Sequence, residues 1–183
     1  MAGDRVMHDV VHLLICQIGV FLALLLAASA VHKGMRWAHT KRVVHEFAGV
    51  PQFAAPAAAA AAALGESLAA LLLFVPAFRR TGALLAALIF GAYLALMLRA
   101  IARGRRDVDC GCSFGPTRHP LGAFDVARNA VLAAFALLVA VPAASGAEAV
   151  AASQALAGCA LLALYGAFDQ VMALQPLRRG GVI

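Results

Sequence analysis

Five long apolar segments, at residues 10–31, 57–75, 81–98, 126–141 and 149–174, take up more than half of the 183 residues. A helix needs about 20 largely apolar residues to cross the hydrocarbon core of a bilayer, and each segment reaches or approaches that length. Helices and closed barrels are the only structures that satisfy their own backbone in lipid, and no period-two alternation favours strands. Composition closes the soluble alternative: 63% of the residues are hydrophobic and 13% charged, against about 45–50% and about 25% in a soluble domain. That balance leaves too little polar surface to hydrate an ordinary soluble enzyme. It equally excludes a disordered chain, and the 16 glycines follow no collagen-like period. The expected fold is an all-α, polytopic integral membrane helix bundle of about five transmembrane helices. Residues 1–183 are expected to form one transmembrane domain, with the last span at 149–174.

The second segment is the weakest, being built on an alanine run at residues 57–63 and carrying Glu66 near its centre. Prolines 51, 56, 76, 120, 142 and 176 fall at the segment ends, where helix breakers belong. Ala28-Ser29-Ala30 resembles a signal-peptidase site, but Asp4 and Asp9 outweigh Arg5 ahead of an apolar run longer than a signal core. The first segment is therefore expected to be an uncleaved span.

Charge sets the expected sidedness. With five spans, Arg5, Arg79 and Arg80 fall on one side of the membrane. The other 12 Lys and Arg, from Lys33 through the arginines at 99–106 to Arg179, fall on the other. Positive charge collects on the cytoplasmic side of membrane proteins, so that basic side is expected to face the cytoplasm. The net charge of +6 reads the same way. No nucleic-acid recognition module accompanies it, so nucleic acid is not an expected partner.

The chemistry-bearing stretch is the connection between the third and fourth segments, Asp107-Val108-Asp109-Cys110-Gly111-Cys112-Ser113-Phe114-Gly115-Pro116. Gly111 accepts backbone torsions that a residue with a Cβ resists, so Cys110 and Cys112 can close a small disulfide ring. Strained or exposed disulfides of this sort are the exchange-active ones. Arg105, Arg106 and Arg118 favour the thiolate, while Asp107 and Asp109 oppose it. Two other readings stand beside exchange. One is zinc, held by Cys110, Cys112 and His119 with help from His32, His39 or His45, although zinc knuckles are more often Cys-x-x-Cys. The other is a pair of unreactive thiols.

Inside the spans, Cys16 and Cys159 are either relay points for a second dithiol or small packing residues. Glu66 is an acidic residue at mid-span, where an unpaired charge is costly. It is expected to be protonated or paired within the bundle, with a role in proton movement or at a quinone head group. The competing reading is an interhelical hydrogen bond through Gly65, Ser67 or Gln154. Arg128 and Asn129 open the fourth segment, where arginine snorkels to the surface, and are expected to anchor the cysteine loop.

Several of these motifs occur together in one known family. Ala30-Val31-His32-Lys33 closing the first span, Gly65-Glu66-Ser67-Leu68 in the second, the arginine-rich exit from the third, Cys110-Gly111-Cys112 with Phe114-Gly115, and Arg128-Asn129 resemble the methylamine-utilisation membrane protein family, MauE. The resemblance covers roughly residues 10–141. Ser113 is an insertion relative to the family's usual Cys-x-Cys-Phe-Gly, and it leaves the dithiol intact. The resemblance implies a multi-pass protein of the bacterial inner membrane that works with a thioredoxin-like partner. Its implied client is an exported, disulfide-rich protein such as the small subunit of methylamine dehydrogenase. It also implies kinship in mechanism with membrane thiol–disulfide oxidoreductases that exchange electrons with quinone. The competing function class is a non-catalytic assembly or chaperone protein whose loop binds zinc or a partner.

Overall fold

The computed structural model describes residues 2–105, 121–141 and 152–179. These form α1 (Ala2–Met35), α2 (Trp37–Ala48), α3 (Ala55–Phe74), α4 (Arg79–Ala102), α5 (Ala123–Val139) and α6 (Ala152–Arg179), with a 3-10 turn at Pro76–Phe78 before α4. No strand occurs among the described residues, and the all-α expectation is met. Among the described residues, three stretches are long and apolar enough to cross a membrane: Val10–Met35, Ala55–Phe74 and Pro76–Ala102. Helix α5, with 17 residues, coincides closely with the fourth expected segment, and α6, with 28, extends the fifth. It does not stop at Pro176, as a breaker would suggest, but runs on to Arg179.

One element departs from expectation. Residues 37–48 read as a polar connection, yet they form α2, which buries Thr40 and Val43 and packs on α3. The helix is amphipathic. Its apolar positions Val43, Val44 and Phe47 recur at helical spacing, while Lys41, Arg42 and His45 occupy the remainder. Gly49, at φ +70°, ends it in the left-handed conformation that glycine adopts without penalty.

Helices α1, α3, α4 and α5 close into a ring in that order, with α5 returning to α1, and α6 leans on the outside of α1. Small side chains let these helices approach, as is usual where lipid rather than water surrounds a bundle. Ala23, Ala69, Ala83, Ala86 and Ala136 are fully buried beside Leu22, Leu26 and Leu73. The tightest approach to a backbone is at Gly82 of α4, where a Cβ would lie 2.6 Å from the Leu73 nitrogen and 2.8 Å from the Leu72 carbonyl carbon. Outward, large apolar side chains are left uncovered, among them Leu64 and Leu71 on α3, Leu88 on α4 and Leu164 on α6. An apolar exterior around an apolar core is what a lipid-embedded bundle requires.

Candidate functional site

The interior of this bundle holds charge. Lys33, near the end of α1, reaches Glu66 at mid-α3, its Nζ donating to Oε1 at 2.7 Å and Oε2 at 2.9 Å. The same ammonium donates to Ser29 Oγ one turn back, at 2.7 Å. Glu66 also accepts from the Tyr93 hydroxyl of α4 at 2.7 Å, and the Tyr93 ring lies 5.4 Å from Nζ. Glu66 is 1% and Lys33 8% exposed. In a low-dielectric interior such a pair holds only if both ions are well supplied with hydrogen bonds. Ser29 and Tyr93 complete that supply and tie α1, α3 and α4 together.

A second charged centre joins α5 to α6. Arg128 Nη1 donates to Asp169 Oδ1, and Arg128 Nη2 lies 3.8 Å from Asp125 Oδ1, one turn earlier. Asp125 is also the cap of α5, its Oδ2 accepting the Gly122 N–H at 3.0 Å. Asn129 donates to the Asp125 carbonyl at 3.1 Å and meets Met97 Sδ of α4 at 3.6 Å. All four polar residues are buried. Between the two centres lies a pocket of about 30 Å³, bordered by Ser29, Glu66, Tyr93, Arg128, Asn129 and Tyr165. It has room for water but not for a ring.

Cys16 is buried at a different level of α1, about 25 Å from Lys33 at 1.5 Å per residue. Arg79, the buried first residue of α4, donates to its Sγ at 3.4 Å, and His12 Nδ1 lies 3.9 Å away. Cys159 is exposed on α6, and neither cysteine is in a disulfide.

Several expectations are corrected by this arrangement. Arg128 and Asn129 do not snorkel; they are buried and face α6 and α4. Glu66 is paired within the bundle as expected, its partner being Lys33, while Ser67 bonds back to the Ala63 carbonyl. Lys33 and Arg79, both counted as surface charges, are interior ones. Glu66 also has a counterpart in Asp169, an acid within the fifth apolar segment whose position there was the signal for it. Tyr93 gave no such signal, because one tyrosine in an apolar helix looks like any aromatic filler. Cys110, Gly111, Cys112 and His119 lie outside the described residues. The chain on either side of them leaves α4 after Ala102 and returns at buried Leu121, at the end of the bundle nearer Lys33 and Arg128. Among the described residues no group of three metal-ligating side chains gathers.

Charge pairs bridging helices inside an apolar bundle define a class: helical membrane proteins with a polar interior, in which buried ionisable groups mark function. Comparison makes the assignment specific. The family model for methylamine utilisation protein MauE matches residues 10–142. The methylamine utilization protein MauE of Paracoccus denitrificans is 36% identical over 156 residues, covering 80% of each chain. That of Methylophilus methylotrophus is 35% identical over 154 residues, covering 82% of this chain and 81% of its own. That of Paracoccus versutus is 38% identical over 150 residues. The chain belongs to the MauE family. No solved structure matches it.

Proposed function

We propose that this protein is a multi-pass protein of the bacterial inner membrane that acts in methylamine utilisation as a thiol–disulfide relay. Its dithiol is Cys110 and Cys112, and its partners are a thioredoxin-like protein and an exported, disulfide-rich client. One thiolate attacks a partner disulfide, forming a mixed disulfide and expelling the partner's other sulfur as a thiolate. The neighbouring cysteine then attacks the mixed bond. The partner leaves as a dithiol and a Cys110–Cys112 disulfide remains; the same steps in reverse oxidise a partner. Gly111 permits the ring to close, and no metal or cofactor is needed for exchange itself.

The observation that carries this reading is the position of the polar interior. The segment bearing the two cysteines joins α4 to α5 at the end of the bundle nearer Lys33 and Arg128, whose partners Glu66 and Asp169 are buried further in. Thiol exchange releases and consumes protons, and buried ionisable groups in the same bundle are where a relay would handle them. The test is replacement of Cys110 and Cys112 together by Ser in the full chain, with client disulfide content as the readout, and of Cys112 alone by Ser to trap a covalent adduct. The relay predicts loss of client maturation in the first and a reducible, partner-sized adduct in the second. Full maturation by the double variant would overturn it and leave a non-catalytic assembly role.

A further inference from the structure

Helix α2 lies between the ends of two candidate spans: the first closes at Met35 and the next opens at Ala55. That position sets α2 at the headgroup layer of a bilayer. Its apolar side is already covered by protein. Thr40 and Val43 are buried, and Phe47 packs on the cluster of Met97, Ala100 and Leu121. A helix that binds a membrane by sinking its apolar side into lipid needs that side free, so α2 has only its other face to offer. On that face Ala38, Lys41, Arg42 and His45 recur at helical spacing. With Gln52 and the first residues of α3 they border a cavity of about 450 Å³, within the range of about 300–1,000 Å³ for small-molecule sites. Neither Lys41 nor Arg42 has a hydrogen-bond or ion-pair partner among the described residues. His45 is held by its Nδ1–H, which donates to the Val50 carbonyl at 2.7 Å, leaving Nε2 for a ligand. Helix α3 starts at the cavity with Ala55 and Pro56, with no side-chain cap and no acid in its first turn, so the positive end of its dipole adds to the same space. Among the described residues no carboxylate borders the cavity, and Glu46, the acid of α2, lies outside it.

We propose that this cavity binds the phosphate head group of an anionic phospholipid. Like charges gathered around one space repel unless something brings the opposite sign, and the walls of this cavity do not supply it. A phosphodiester does, with acceptor oxygens for a guanidinium, an ammonium and an imidazole at once. The surroundings choose the source of the phosphate. Met35 and Phe53, which flank α2 in the chain, are 81% and 88% exposed. At a bilayer surface they meet the acyl chains that hang from the same phosphate, whereas a free phosphate ion leaves both uncovered. A zwitterionic head group carries its own ammonium into a space already lined by cations, so the preference is for a net negative lipid. Bound there, the lipid braces α2 and, through Phe47, the residue Leu121 at which the chain returns from the cysteine segment. The site needs neither Cys110 nor Cys112 and stands apart from the relay.

The probe is dioleoyl-phosphatidylglycerol, titrated into the purified, delipidated full chain in detergent and followed by native mass spectrometry. Dioleoyl-phosphatidylethanolamine is the zwitterionic match and inorganic phosphate the tail-free one. One phosphatidylglycerol per chain is expected to bind in clear preference to phosphatidylethanolamine, and inorganic phosphate at the same concentration should not displace it. The Lys41→Gln, Arg42→Gln double variant should weaken that binding by about thirtyfold, the equivalent of two basic contacts at a membrane surface. Ala38→Glu, which sets a carboxylate on the same exposed face, should weaken it as well. Thermal melts without lipid report folding, and whichever of the two variants folds carries the test. The Arg103→Gln, Arg105→Gln double variant loses the same charge from another exposed stretch and should bind like the unaltered chain. Equal binding of the two lipids, equal weakening by the two double variants, or undiminished binding in a folded α2 variant would overturn the site. Displacement by inorganic phosphate would overturn the lipid as its occupant.

Discussion

Lys33 and Glu66 show what a single residue can demand of the rest of this protein. Their two charges are almost wholly withdrawn from solvent. Removing one partner strands the other, typically at about 3–5 kcal/mol. Lys33→Met and Glu66→Gln are each expected to lower the melting temperature of the purified protein in detergent. Combined, they should cost less than the sum of the two, because the double variant leaves no stranded lysine. Strict additivity in that cycle would show that the pair is not coupled. Only half of this site could be read from the sequence. Glu66 stood out because a carboxyl in a hydrophobic run has no innocent explanation, whereas Lys33, close to the end of its run, is indistinguishable from a surface anchor. Asp169 had the same signal as Glu66, and Arg128 was misread because an arginine one turn into a helix has two equally ordinary destinations, surface or interior. Which it takes depends on a carboxylate 41 residues later, and no local pattern records that.

Elements were more legible than sites. Long apolar runs dictate helices with little help from their surroundings, so five of the six described α-helices lie where hydropathy puts them. Helix α2 escaped because it is short, carries Lys41, Arg42 and three histidines in its vicinity, and gains its order by laying Thr40 and Val43 against its neighbours. Helix packing was not legible at all, since it turns on single atoms. At Gly82 an added methyl would collide with the backbone of α3, which cannot rotate aside. Gly82→Ala is expected to separate the α3–α4 hairpin and cost about 1–3 kcal/mol. Gly91→Ala on the same helix meets nothing within 4 Å and should be neutral or slightly stabilising, as alanine is in helices. Thermal melts of the two variants side by side check this; equal effects would mean that the close approach is not what constrains position 82.

For the molecule as a whole, burial revises the charge count on which its orientation depends. On the proposed five-span topology the raw asymmetry is 12 against 3. Lys33 and Arg128 leave the larger group and Arg79 the smaller, since each is committed to a partner inside the bundle. Ten against two remain. The asymmetry survives, and on that proposed topology the Cys110–Cys112 segment is expected on the cytoplasmic side. A membrane-impermeant maleimide is therefore expected to modify Cys110 in inverted vesicles and not in intact cells, in a chain whose exposed Cys159 has been replaced by Ser. Labelling from the outside would reverse the orientation and put the dithiol with its exported client.

The lysine and the glutamate that meet in the finished protein are 33 residues apart in the chain. At about 5–20 residues per second of synthesis, the ribosome makes the base a few seconds before the acid. Lys33 can wait at the headgroups, its long stem in oil and its ammonium in water. Glu66 has no such refuge halfway along α3, so its helix enters the bilayer beside a counter-ion that is already there. The order of the two residues in the gene is thus also an order of assembly, with the tolerant partner first.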